Sequence, residues 1–269
     1  MNIIDSHIHF WDLKNGYNDW VKNTNFPSRV TPEGLNADAF VHIEAHSEIF
    51  DPLCEYKWLK SEFANKSIKV VAFVDFTLDI DSFEKKTTAI RKYKDIVGIR
   101  QIMAKTNKSS YSPFTKDIPN DLEDKLKILQ QNNLVFEAQM YPKQFLNILE
   151  KIDNSKVTMV IEHFGLPIFN DKESLESWYI LINECKQNSN WNFKLSGFEL
   201  NNDFSHINKA LDFIFENIHD TQLCYGSNFP VSHKDNYDFW QSFLHKYINN
   251  DTISENVFRN VAQKIYFNN

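Results

Sequence analysis

The segment Ile3-Ile4-Asp5-Ser6-His7-Ile8-His9-Phe10 is a short apolar run of β type that ends in two histidines. An open, doubly wound α/β sheet usually follows its first strand with a glycine-rich turn. This chain does not, and neither GxGxxG nor GxxxxGK[ST] occurs anywhere in it. Similar runs rich in Ile, Val and Phe recur at residues 40–45, 69–76, 96–102, 135–140, 157–163, 193–197 and 223–228, which with residues 3–9 makes eight predicted strands. The intervening segments have helical spacing. Pro119 precedes Leu122, Leu126 and Leu129; Pro142 opens a run with Phe145, Ile148 and Leu149; Asp171 precedes Leu175, Trp178 and Leu181. A closing helix is predicted from Ser254 as cap, with Glu255 in its first turn, through Val257, Val261 and Ile265. Strand–helix alternation calls for parallel pairing, because parallel strands need long crossovers. Eight such units in 269 residues predict a single-domain α/β fold, a (β/α)8 TIM barrel over residues 1–269.

Composition narrows the function. Hydrophobic residues make up 42% of the chain and 23 are Phe, enough for a large core. The net charge of −7 and the absence of a basic stripe argue against nucleic acid and anionic membranes as partners. No apolar run approaches the roughly 20 residues of a membrane span, and residues 1–5 lack signal-peptide character. Cys54, Cys185 and Cys224 show no CxxC spacing, so the expected location is cytoplasmic. The expected partner is a small-molecule substrate, with monomer and homodimer both open. Glycine and arginine are rare, at 6 and 4 residues, so their positions carry information.

In a (β/α)8 barrel the chemistry sits at the C-terminal ends of the strands. His7 and His9, at i and i+2, point to one side of strand one, where both imidazoles can reach one cation; alternation continues that face to Asp5. On strand six, alternation places Met159, Ile161 and His163 on one face and Glu162 on the other. His163 then joins His7 and His9 as a third metal ligand, or serves as a proton shuttle. Strand two offers His42, Glu44 and His46 on one face, with Glu44 the catalytic candidate and His42 structural. Arg100 on strand four is expected inside the barrel, gripping a substrate carboxylate or carbonyl, or else pairing with an acid such as Glu137. Gln139 on strand five can orient substrate. Lys194 on strand seven shares a face with Ser196 and either supplies positive charge below the site or pairs with an acid. Specificity is expected in the loops at 11–38 and 104–119.

The ordered series Asp5-Ser-His7-Ile-His9-Phe-Trp-Asp12, Val97-Gly98-Ile-Arg100-Gln-Ile, Glu162-His163-Phe-Gly165-Leu-Pro167, Lys194-Leu-Ser196-Gly197 and Tyr225-Gly226-Ser227-Asn228-Phe-Pro230 resembles the amidohydrolase-2 branch of the metal-dependent hydrolases, in particular its sugar-lactonase-like group. The resemblance runs nearly end to end and includes Asn256, Ala262 and Ile265-Tyr266 of the last helix. It implies a hydrolase that opens a small polar lactone, of sugar type or carboxylated, by water attack. The site would be built on the HxH pair, the strand-six histidine and a strand-eight acid. This chain departs from the pattern at the last of these, with Asn228 in place of Asp. A neutral amide is no general base, but its oxygen can ligate a cation and its NH2 can hold an oxyanion. The proton of the attacking water then falls to His163 or Glu44. Two cofactor states fit, one divalent cation (zinc or manganese) or a metal-free site. A metal-dependent decarboxylase and a catalytically silent ligand-binding barrel are the alternatives.

Overall fold

The computed structural model describes residues 2–268. Eight strands form one parallel sheet in sequential order: β1 (Ile4–Ile8), β2 (Ala39–Ile43), β3 (Ser67–Phe73), β4 (Ile96–Ile102), β5 (Val135–Gln139), β6 (Met159–Ile161), β7 (Trp191–Leu195) and β8 (Leu223–Tyr225). The sheet closes on itself just beyond β8. There the Asn228 N–H donates to the His7 carbonyl at 2.7 Å and the His9 N–H to the Phe229 carbonyl at 2.9 Å. The (β/α)8 barrel expected from the alternation is therefore the observed fold.

The inward residues change character along the barrel axis. Ile4, Val41, Val71, Val97, Val135, Val160 and Cys224 form an aliphatic floor, sealed from below by Val261, Ala262, Ile265 and Tyr266 of the last helical segment. One step higher the same faces carry Glu137, Glu162 and Lys194, all buried. The outward faces pack Phe, Leu, Ile and Trp side chains against the surrounding helices in a second, larger core. Apolar burial in two shells holds the barrel; the polar upper interior is the costly part of the structure.

Helix boundaries follow their caps. Pro142 opens the helix Pro142–Leu146, and the Asp171 carboxylate accepts from the Ser174 N–H (2.9 Å) ahead of the helix Lys172–Gln187. The closing helix differs from expectation. It starts at Asp251, capped by the Asn250 side chain, while Ser254 is buried inside it and faces His245 Nδ1 at 3.3 Å. Among the described residues no helix is long and apolar enough to cross a membrane.

Two departures from strict alternation matter for the site. The β1–β2 register shifts between Asp5 and Ile8, so His7 turns inward even though Ile4 already faces the floor. Asp5, expected on the histidine face, instead accepts from the Ser227 N–H (2.9 Å) and the Tyr237 hydroxyl (3.1 Å). Burial raises its pKa to about 6 against the pull of these bonds. On β6 the strand ends at Ile161 and the chain enters a tight turn in which His163 has φ +53° and Phe164 φ +57°. Val160 and Glu162 therefore point inward, and the left-handed turn swings His163 in beside them, which reverses the predicted assignment of Glu162.

The barrel seam sets a steric condition at Gly226, where an added Cβ would lie 2.6 Å from the His7 Cβ. Gly226→Ala is expected to destabilise the protein by about 1–3 kcal/mol through overpacking, read from urea unfolding. Stability within about 0.5 kcal/mol of the wild type would show that the seam does not need glycine.

Candidate active site

Arg100, on β4, sits in the upper interior with 3% of its surface exposed. Its Nε donates to Glu44 Oε1 (2.8 Å), one terminal nitrogen to the Glu44 carbonyl (2.7 Å), and the other to Gln139 Oε1 and Glu162 Oε2 (both 3.2 Å). Four of the five guanidinium N–H groups are thereby committed to protein acceptors. Burial alone would lower the Arg100 pKa, but Glu44 and Glu162 raise it. Burial likewise pushes both acids up. For Glu162 the Arg100 guanidinium and its neighbours outweigh burial and hold the carboxyl below its usual range, whereas Glu44 is pushed up to about 7.

Around this pair stand the histidines. His7 and His163 are in ring contact, with centroids 4.5 Å apart, and His9 lies 5.1 Å from His7. His7 Nδ1 is 3.4 Å from Glu162 Oε1, and His163 Nε2 is 3.7 Å from Glu162 Oε2. His7, Glu162 and His163 each offer a ligand atom within 4.8 Å of the others, a set able to hold a divalent cation. The fit is supported by two buried atoms without hydrogen-bond partners, His7 Nε2 and Glu162 Oε1. Burial and the nearby cations lower the pKa of His7 far below its usual value, and burial brings His163 to about 4, so both rings are neutral near pH 7 and have lone pairs to give. His9 Nδ1 faces only a carbonyl, Ile43 O at 2.9 Å, which fixes the neutral ring with its proton on Nδ1 and the lone pair on Nε2.

Above this cluster opens a cavity of about 480 Å³, within the range of small-ligand pockets. His9, Glu44, Arg100, Gln139, His163 and Asn228 contribute to its lining. Trp20 and Phe26 come from the 11–38 loop and Tyr111 and Phe114 from the 104–119 loop. The Asn228 backbone is left-handed, at φ +52°, and its Nδ2 donates to Ser232 Oγ (2.8 Å), leaving Oδ1 and one N–H for the cavity.

The residues picked from sequence thus converge, with changes of role. Glu162, assigned by alternation to the opposite face, stands with His7 and His163, while His9 lies beside that set. Lys194 is not on the cavity wall. Its ammonium lies beneath His7, 3.5 Å from Nδ1, and donates to both oxygens of Glu137 (2.9 and 2.8 Å). Ser196 Oγ is 3.0 Å from His163 Nδ1. On β2 the three polar residues do not share a face. Glu44 turns in to Arg100, while His42 Nε2 and His46 Nδ1 lie 3.3 and 4.0 Å from Glu55 Oε2 on the helix Cys54–Glu62. His42 is absent from the cavity lining and also accepts from the Phe10 N–H at 3.1 Å.

A family model described as Amidohydrolase (Amidohydro_2) matches residues 4–267. The uncharacterized protein y4mH of Sinorhizobium fredii is 25% identical over 273 residues, covering 90% of each chain. A zinc-bound amidohydrolase from Burkholderia multivorans superposes with a TM-score of 0.79 at 18% identity, covering 99% of both chains. A probable 2-pyrone-4,6-dicarboxylic acid hydrolase from Acinetobacter baumannii, with citric acid bound, gives 0.70 at 16% identity over 99% of this chain and 100% of its own.

Arg100→Met would strand two buried carboxylates. Without the guanidinium, burial places the folded-state pKa values of Glu44 and Glu162 above their unfolded values, so folding takes up protons and the variant loses stability as pH rises. The expected loss is about 3–5 kcal/mol at pH 8 and less at pH 5, measured by chemical unfolding at both pH values. An equal loss at both would mean that the carboxylates do not depend on Arg100.

Proposed function

Because the chain belongs to the Amidohydrolase (Amidohydro_2) family, we propose that it is a hydrolase that opens a small lactone by attack of water on the ring carbonyl. Family membership supports hydrolase chemistry; the lactone is our reading, in keeping with the cyclic-ester chemistry in the name of the Acinetobacter neighbour. The observation that carries it is the convergence of neutral imidazoles, a carboxyl of raised pKa and the Asn228 amide on the wall of one cavity at the strand ends.

Glu44 takes the proton of the attacking water. Its Oε1 is engaged by Arg100, which leaves Oε2 toward the cavity, and a pKa of about 7 lets it accept and release protons near neutrality. With no cation on its Nε2, His163, held by Ser196, orients the water through that atom and is the alternative proton carrier. The remaining Asn228 N–H donates to the carbonyl oxygen as it gains charge, a role that a carboxylate could not fill. The last free N–H of Arg100 binds a polar oxygen of the substrate, while Lys194 with Glu137 keeps His7 in place from below. His7, Glu162 and His163 would hold a divalent cation, zinc or manganese, with His9 adjacent. When bound there, such an ion supplies Lewis-acid polarisation of a carbonyl and acidifies water.

Glu44→Gln is expected to cut kcat at pH 7 by about 100-fold or more. Since Glu44 must be ionised to act, wild-type activity rises with pH through about 7, and the variant loses that limb. A pH–rate profile over a panel of lactones checks both. An unchanged limb in the variant would remove Glu44 as the base.

A further inference from the structure

Tyr111 lies in the 104–119 loop, outside the barrel strands, yet it lines the cavity beside Gln139. The loop holds it firmly. Ser109 Oγ donates to Asn201 Oδ1 (2.7 Å), the Tyr111 N–H donates to Ser109 Oγ (3.1 Å), and the Tyr141 hydroxyl donates to the Tyr111 carbonyl.

The direction of its hydroxyl proton follows from a chain of obligatory donors. Arg100 can only donate, so the Gln139 atom facing it is the carbonyl oxygen Oε1. Gln139 must then present its NH2 to Tyr111, and it does so, with Nε2 donating to the phenol oxygen. The Tyr111 oxygen is thereby an acceptor, and its own O–H has no protein acceptor among the described residues. A hydroxyl in a ligand-sized cavity, oriented by a buried guanidinium two residues away in the bonding chain, is a donor with an assigned direction and no protein partner. Burial raises the Tyr111 pKa, so the group stays a donor across the working pH range rather than transferring its proton.

We propose that Tyr111 is a substrate-contacting residue whose O–H donates a hydrogen bond to an oxygen of the bound substrate, and that Gln139 is the positioning residue that fixes that direction. The proposal rests on the hydrolase reading for its substrate, a lactone oxygen. Within the 104–119 loop it identifies the side chain that selects a substrate with an acceptor at that point.

A double-mutant cycle tests it. Tyr111→Phe removes the hydroxyl, and with it the acceptor of Gln139 Nε2; it is expected to lower kcat/KM by about 10-fold or more in a protein that stays folded with a somewhat lower Tm. Gln139→Glu keeps an acceptor for Arg100 but turns the second contact around, because a carboxylate oxygen accepts the Tyr111 proton and withdraws it from the substrate. This variant is expected to lose about 10-fold in the wild-type background and less than about 3-fold in the Tyr111→Phe background. Activity of Tyr111→Phe within about 2-fold of the wild type, or an equal cost of Gln139→Glu in both backgrounds, would overturn the proposal. A readout without substrate accompanies the cycle. The tyrosine Raman doublet, isolated as the difference from Tyr111→Phe, should move toward the hydrogen-bond-donor form in Gln139→Glu; an unchanged doublet refutes the assigned direction. Should the wild type leave lactones intact but decarboxylate an aromatic acid, the hydrolase reading fails, while the cycle run on that acid still decides the role of Tyr111.

Discussion

The upper barrel is organised by one buried cation. A guanidinium enclosed at the level of Arg100 is tolerable only if carboxylates and carbonyls surround it, since an unpaired charge in that environment would cost several kcal/mol. Glu44, Glu162 and Gln139 come from three other strands or strand ends to supply those acceptors. Each is then fixed for a second task. Glu44 keeps one oxygen for the cavity, Glu162 reaches His7 and His163, and Gln139 turns its NH2 toward Tyr111. Below them Lys194 and Glu137 repeat the arrangement, with the Tyr266 hydroxyl donating to Glu137 from the last helix. Burial raises Glu137 to about 7 even beside its lysine. Two layers of compensated charge thus stand on an aliphatic floor and position the imidazoles by their surroundings.

Much of this was legible in the sequence, for definite reasons. Strand count and order follow from apolar runs and crossover lengths, which do not depend on which face a residue takes. The rarity of arginine drew attention to Arg100, and the HxH pair to the end of the first strand. Facing was the part that failed. Alternation assumes an unbroken strand, and the errors arose where the strand breaks or ends: at the register shift between Asp5 and Ile8, beyond the end of β2 at Ile43, and at the left-handed turn of His163. A signal for Glu162 was present. Val135 and Val160 both belong to the aliphatic floor, and the residue two positions after each is a glutamate. Reading that repeat, together with the need of a buried Arg100 for carboxylates, would have placed Glu162 inside.

Two scarce glycines mark where the backbone leaves no choice. At Gly197, with φ +59°, an added Cβ would lie 2.5 Å from His163 Nδ1, and at Gly226 it would meet His7. Both residues face the histidines, so close approach of the β7 and β8 ends is what brings His163, Asn228 and His7 within reach of one another. An amide at Asn228 fits the same crowding. With Glu44 and Glu162 already present, the amide adds a donor without adding a further negative charge to the floor.

The central claim, water attack on an acyl carbon at this floor, is tested most directly by hydrolysing a lactone substrate in ¹⁸O-labelled water and locating the label by mass spectrometry. The prediction is one ¹⁸O in the carboxylate of the hydroxy acid and none in its hydroxyl. Label in the hydroxyl, or no turnover of any lactone with or without added zinc or manganese, would contradict it.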